Sequence, residues 1–235
     1  QVETEDLPAA LLATNVVEIS GLADMSVTDL QKALTGKRVS LSPSIAGTSE
    51  SLSGSSTVKD LETLFQLNYL YFTAPRRDEE SYQTLVSILE SQLANRDKNP
   101  KVAFNDSIQM MASNNSNRTV IFTKEILEGV ALDKTLEVYK ARFANPADFT
   151  FFFVGNVNPE DKAFQQLVCT WLGGLKTSKK KESVRDDGVR VPAGIQKNYF
   201  IREMETKTAS NRIQYTSYDM PYTLANDLNM EMIGR

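Results

Sequence analysis

The stretch 149-FTFFFVGN-156 constrains the fold of this chain more than any other. It is a continuous apolar run, bounded on both sides by polar turns. A run of that length and composition reads as a buried central strand rather than a surface strand, which would alternate apolar with polar residues. The chain is therefore expected to contain a sheet, and the rest of the sequence must supply what covers it.

Most of that cover is helical. Residues 9-AALLATNVVEISGL-22 read as a helix over about 7–19 that is apolar nearly all round, interrupted by Asn15 and closed by Ser-Gly. Asp24 or Ser26 caps a second helix, 27–34, with Asp29 three residues after Ser26 in a capping-box arrangement. Val39, Leu41 and Ile45 suggest two short strands joined around Pro43 and Gly47. Thr57 and Asp60 open a strong helix over 58–73, which Pro75 stops. Asp78 caps a long helix, 79–96. Pro100 starts another, 101–113, and 114-NNSNR-118 is a polar turn. Two further helical pieces follow at 123–130 and 133–144. After the apolar run, Asn158-Pro159 starts a helix that Gly173-Gly174 ends at 172.

Residues 175–196 change composition abruptly, with a basic triplet, then acids, then Gly and Pro. This interval reads as an exposed linker. The adjacent Glu182, Asp186 and Asp187 would neutralise any phosphate-binding patch made by its lysines. Alternating segments at 197–206 and 211–219 read as strands, and 222–235 as a helix just beginning. The organisation expected is one unit over 1–174, a linker over 175–196, and the truncated start of a second unit over 197–235. With Gln at position 1 and no signal-peptide pattern, the chain reads as a piece of a longer polypeptide. The fold class is α+β, a mainly antiparallel sheet covered by helices on one side.

Composition narrows the chemistry. The 235 residues contain no histidine and one cysteine. That excludes a Ser-His or Cys-His pair, any zinc site needing imidazole, and an all-thiolate metal site within the chain. No spaced Asp loop of the calcium type is present. Cys169 lies in 167-LVCTWL-172 and is expected to be a small buried apolar residue. A net charge of −4 gives no basic field to draw nucleic acid or anionic membrane. No apolar run approaches the roughly 20 residues of a membrane span. Catalytic, cofactor-binding and metal residues are each expected to be none. Asp78-Glu79-Glu80 could suggest a carboxylate centre, but acids at a helix N-terminus are explained by the helix dipole. Asp186-Asp187 fall in the linker. The sequons at Asn105, Asn114 and Asn117 read as chance, and Tyr69, Tyr71 and Phe72 as core or inter-unit contacts.

Two segments together carry a resemblance: 53-SGSSTVKDLETLFQLNYLYFTAPRRDEESY-82 and 148-DFTFFFVGNVNPEDKAFQQLVCTWLGGLKT-177. The first resembles the middle helices of a non-catalytic domain in bacterial members of the pitrilysin/insulinase family of zinc metallopeptidases. The second resembles the Phe- and Val-rich strand, Gly-Asn turn and following helix that recur in that family. The resemblance implies repeated α+β units closing as two halves around an unfolded peptide. One unit carries an inverted zinc motif, His-x-x-Glu-His, with a further Glu on a later helix.

Anchored on Gly21, the motif places Leu12 and Val16 opposite the two metal histidines and Asn15 opposite the glutamate base. Leu and Val cannot bind zinc, and Asn cannot accept a proton from water as a carboxylate does. Glu79, Glu80 and Glu90 on the later helix read as a solvated face. Arg212 and Tyr215 match by type a pair the family uses on peptide but precede its expected place, so they take no role. The resemblance implies a non-catalytic segment from the C-terminal half of a bacterial zinc endopeptidase, building the peptide chamber and contacting neighbouring domains. Zinc would belong to the parent enzyme and not to this segment, and the resemblance suggests a periplasmic or cell-envelope location. The alternative is a scaffold or peptide-binding domain of an inactive homologue, told apart by whether the parent keeps its His-x-x-Glu-His.

Overall fold

The computed structural model describes residues 2–96, 98–179, 182–183, 185–203, 208–216, 221 and 223–233. In chain order its α-helices are α1 (Leu7–Ser20), α2 (Val27–Ala33), α3 (Leu61–Thr73), α4 (Glu79–Arg96), α5 (Pro100–Ala112), α6 (Lys124–Glu128), α7 (Leu132–Arg142), α8 (Lys162–Leu167) and α9 (Leu224–Ile233). The strands are β1 (Val39–Ile45) and β2 (Glu50–Ser56), and they pair antiparallel, Val39 opposite Ser56 and Ile45 opposite Glu50. The chain divides into two compact units. The first is Gln1–Lys98 with Val120–Asp187, and the second is Asn99–Thr119 with Gly188–Arg235.

The first unit is built around α1. A helix apolar all round belongs inside, and Ala9, Ala10, Leu12, Ala13, Val16 and Val17 are buried. Pro8 sits in its first turn, where the missing N–H is one that no helical carbonyl would have used. The helix packs against α7, β1 and α4. Its end is closed by Gly21 at φ +88°, where a Cβ would lie 2.2 Å from the Met25 carbonyl oxygen, so only glycine fits. Arg76 then donates to the Ser20 carbonyl at 2.8 Å, which ties the end of α1 to the chain following α3. Fully burying each of Val16 and Val17 contributes roughly 1.5–3 kcal/mol.

The expected caps form. The Ser26 hydroxyl accepts from the Asp29 N–H at 3.2 Å and donates to the Asp29 carboxylate at 2.6 Å. The Thr57 hydroxyl donates to Asp60 at 2.7 Å, and Asp60 also accepts the Arg38 N–H at 3.0 Å. Asp60 thereby joins the start of the β-hairpin to the start of α3. Along β1, Val39, Leu41 and Ile45 pack toward the core while Ser40, Ser42 and Ser44 are exposed. The hairpin is thus an antiparallel sheet with helices on one face and water on the other, the α+β arrangement expected. Pro43 is not in the turn; it lies within β1 opposite Leu52, and the turn is 46–49, closed by Ala46 N–H on the Ser49 carbonyl at 2.8 Å.

The expected strand at 149–156 is not formed. Residues 149–154 lie over α3 with alternate side chains inward. Phe149 and Phe151 meet Phe72 at 5.0 and 6.3 Å between ring centroids, and Phe153 stacks on Phe65 at 5.3 Å. Phe152 and Val154 point out, 84% and 99% exposed. The alternation is that of a strand, but residues 150–154 make no backbone hydrogen bond among the described residues. Apolar content buries one face; a strand also needs an edge to pair with, and none is offered here. The helix after it starts at Lys162, not Pro159, with the Asp161 carboxylate accepting the Ala163 N–H at 3.0 Å. It ends in a π-helical turn, Val168–Leu172.

In the second unit, α5 is capped by Asn99, whose side chain accepts the Lys101 N–H at 3.0 Å. The polar turn after it places Asn114 and Asn115 at φ 53° and 54°, the left-handed region that Asn tolerates. Phe104 of α5 meets Phe200 at 6.0 Å. The strands expected at 197–206 and 211–219 are not formed over 197–203 and 211–216, for the same want of a partner. Residues 204–207 and 217–220 lie outside the described residues. Tyr199, Ile201, Ile213 and Tyr215 are 70–90% exposed.

Candidate functional site

The one place where the sequence offers a possible site is the middle of α1. There Leu12 is 7% and Val16 0% exposed, both inside the main apolar cluster with Leu22, Leu67, Tyr71 and Tyr139. Asn15 is exposed, so water satisfies its amide. Leu11, one turn before it, is 51% exposed. The two positions inferred for metal ligands are therefore packing residues, and the position inferred for a general base is exposed.

Three phenols belong to this cluster, those of Tyr71, Tyr82 and Tyr139. The Tyr139 hydroxyl donates to the Tyr71 carbonyl at 3.2 Å, and the Tyr82 hydroxyl to the Val130 carbonyl at 2.6 Å. Burial, with the Glu18 charge as a smaller cause, pushes the Tyr71 phenol up to about 12. Burial likewise raises Tyr139. These phenols stay protonated at neutral pH, and those of Tyr139 and Tyr82 act as hydrogen-bond donors in the core.

The carboxylates of α4 are not gathered. Glu79 pairs with Arg77 at 3.0 Å and accepts from Gln83, Glu80 is exposed, and Glu90 is half-buried. Asp78 acts as the expected cap, accepting the Ser81 N–H at 2.9 Å, and it also pairs with Arg76. The Ser81 N–H and Arg76 hold its carboxyl below the usual range. Among the described residues no group of three or more His, Cys, Asp or Glu side chains is placed to hold a metal. Zinc does not fit the donors present, because the inferred ligand positions Leu12 and Val16 carry alkyl groups.

Cys169 is exposed, not buried as its apolar neighbours suggest. The π turn resets the helical face, so that Trp171 meets Tyr69 at 5.8 Å while Cys169 faces out. Tyr71 and Phe72 are core contacts, as expected. Arg212 and Tyr215 are exposed, and Asn105, Asn114 and Asn117 likewise. An open pocket of about 300 Å³ lies between the start of α1 and α6–α7, floored by Pro8, Ala9 and Val130 with Glu5, Glu125 and Lys134 at its rim. Lys134 is already paired with Asp6 at 3.0 Å and Glu137 at 3.4 Å, so the rim offers no convergent set of free polar groups. No helix among the described residues is long and apolar enough to cross a membrane.

Helices back one face of an antiparallel hairpin, and the middle of α1 is packed with apolar side chains. The chain is homologous to PqqL, an inverted zinc protease of the pitrilysin/insulinase family. It is 27% identical to that Escherichia coli protein, named a probable zinc protease, over 167 residues, 71% of this chain and 18% of the relative. No protein-family model matches the chain. Among solved structures, the periplasmic protease PqqL of Escherichia coli superposes with a TM-score of 0.66 at 23% identity, covering 79% of this chain and 21% of that one. The ferredoxin protease FusC, solved with Arabidopsis ferredoxin, gives 0.64 at 19% identity over 77% and 19%. A conserved protein from Enterococcus faecalis gives 0.55 at 13% identity over 78% and 47%. The chain thus spans about a fifth of the length of the two proteases.

Proposed function

We propose that this chain is a non-catalytic segment of a longer zinc metalloendopeptidase, supplying structure to a peptide chamber whose metal lies in another unit. The observation that carries the reading is the interior of α1. Leu12 and Val16 are core residues at the positions where a catalytic unit would hold zinc. In this reading residues 1–174 are most of one pitrilysin-type domain, 175–196 a linker, and 197–235 the start of the next. The bare apolar run 149–154 supports it, since an inward-packed, unpaired strand is what a sheet looks like when other strands of the domain are elsewhere in the polypeptide. The partners are the other domains of that polypeptide and its peptide substrate, and the compartment is the periplasm, as for PqqL. The names of both protease relatives favour this over the scaffold of an inactive homologue.

Purified 1–235 is expected to bind no zinc and cleave no peptide, as read by metal analysis after dialysis and by hydrolysis of a denatured protein substrate. Stoichiometric zinc with metal-dependent cleavage would overturn the reading. The triple change Leu12→His, Asn15→Glu, Val16→His is expected to remain inactive, because the rest of the metal shell and the peptide cleft are not specified in this segment.

A further inference from the structure

The two edges of the β1–β2 hairpin are not alike. In an antiparallel pair, residues whose N–H and C=O face the partner strand alternate with residues whose N–H and C=O face outward. The Thr57 N–H on the Arg38 carbonyl at 3.2 Å and the Ala46 N–H on the Ser49 carbonyl at 2.8 Å fix that alternation at both ends. With the register of the pair, they direct the main chain of Ser40, Ser42 and Ser44 at Ser55, Ser53 and Ser51. Val39, Leu41, Pro43 and Ile45 therefore form the outer edge of β1, and Glu50, Leu52, Gly54 and Ser56 that of β2. Pro43 has no N–H to offer, as suits a strand that ends a sheet. β2 has none of the devices that close an edge. It contains no proline, and its one charge, Glu50, is held by Arg142 at 2.5 Å. Gly54 is exposed, and among the described residues no backbone group outside the hairpin bonds to the main chain of Leu52, Gly54 or Ser56.

α3 packs against both strands of the hairpin. Through Phe65 and Phe72 it also holds the run Phe149–Val154, whose own backbone is unpaired over 150–154 among the described residues. Asn68 lies one helical turn from each of these two rings. It is 9% exposed, and its Nδ2 has no hydrogen-bond partner among the described residues. Folded proteins rarely leave a buried donor unused, because it has given up water without replacement.

We propose that the outer edge of β2 is the docking site of an extended strand from the same polypeptide, outside these 235 residues, which also pairs with the run and gives Asn68 an acceptor. The proposal rests on reading the chain as part of a longer protease. This chain covers 21% of PqqL, so in that reading most of the polypeptide lies outside it and can supply the strand. To pair along all seven residues of β2 the strand needs about seven residues of its own. Its side chains alternate, and those facing α3 are apolar apart from a hydroxyl or amide oxygen over Asn68. One resident strand answers the open edge, the unpaired run and the unused donor together. A second copy presenting its own β2 would leave the run and Asn68 as they are, and a peptide bound in passing would leave them so most of the time. β1 then ends the sheet.

The test is amide hydrogen exchange in the 235-residue chain and in the longer polypeptide. In the 235-residue chain the Ser51, Ser53 and Ser55 amides should exchange at least about tenfold more slowly than those of Leu52 and Gly54. In the longer polypeptide Leu52, Gly54 and Ser56 should slow by about tenfold or more, while Val39, Leu41 and Ile45 stay as they were. Asn68→Leu should raise the urea midpoint of the 235-residue chain, where the donor is unused, yet speed exchange at Leu52 and Gly54 in the longer polypeptide. Leu52 and Gly54 amides that stay fast in the longer polypeptide would overturn the proposal, as would slowing along β1 instead. Protection that grows with the concentration of the 235-residue chain would give the edge to a second copy. Protection that needs added denatured protein would give it to a bound peptide. Either result overturns the proposal as well. A longer polypeptide that holds no zinc and cleaves nothing would overturn the protease reading alone, since exchange along β2 is read independently of activity.

Discussion

The hairpin Val39–Ser56 and the run Phe149–Val154 make opposite use of their sequences. β2 is Glu-Ser-Leu-Ser-Gly-Ser-Ser, with one apolar side chain, and it is paired along all seven residues. The run has four phenylalanines and a valine, the strongest strand-forming composition in the chain, and it pairs with nothing described. Strand propensity measures how well side chains suit a half-buried pleated surface. The ladder itself needs a second edge in register, and a four-residue turn supplies one for β1 and β2 at little entropic cost. The hairpin then gains fixings that have nothing to do with propensity: Asp60 on the Arg38 N–H, Lys37 on Thr63 at 2.7 Å, and Arg142 on Glu50. Beyond the Phe149 N–H on the Pro146 carbonyl at 3.1 Å, the run is held through rings on one face.

That contrast can be broken at several points. The largest effect is expected at Phe143, 1% exposed and stacked on Tyr139 at 4.5 Å and Phe149 at 5.6 Å. Phe143→Ala should cost about 3–5 kcal/mol in urea unfolding and loosen the run with the core. Next comes Gly54 in β2, where a Cβ would lie 2.2 Å from the Ser40 carbonyl oxygen and 2.8 Å from a Leu41 methyl carbon. Gly54→Ala should cost about 1–3 kcal/mol and lower hairpin protection before that of the run's packing.

Acid should act on the hairpin rather than the run. The Thr57 hydroxyl and the Arg38 N–H hold the Asp60 carboxyl below its ordinary value of 3.8. A depressed folded-state pKa gives stability that is present above the unfolded value and lost as pH falls through the folded one. Stability should therefore fall below about pH 4, and Asp60→Asn should flatten that part of the profile. The smallest effect is expected at Phe152. Being 84% exposed, its replacement by Thr should change the stability of this chain by less than about 0.5 kcal/mol.

The sequence showed what is local. Ser26, Thr57 and Asp78 were readable as caps because each bonds a backbone N–H three residues on. Burial of Leu12 and Val16 followed from a helix apolar all round. What it could not show depends on distant partners. Arg142 joins Glu50 and Glu182, 92 and 40 residues away. The outward turn of Cys169 follows from a π turn with no sequence signature that its neighbours reveal. The run reads as a buried, paired strand; instead only Phe149, Phe151 and Phe153 reach the rings of the helical layer, Phe152 and Val154 face out, and no edge pairs with it, because another segment must specify the pairing. The expectation about the site rests on composition alone: a chain without histidine cannot rebuild the zinc motif whatever its register.

The most direct measurement is amide exchange over Thr150–Val154, in this chain and in the longer polypeptide of which we propose it is part. Alone, these amides should exchange at least about a hundredfold faster than those of β1–β2, and in the longer polypeptide they should become as slow as the hairpin. Equal protection of run and hairpin in the 235-residue chain, or a run still unprotected in the longer polypeptide, would contradict the view that this segment carries one face of an unfinished sheet.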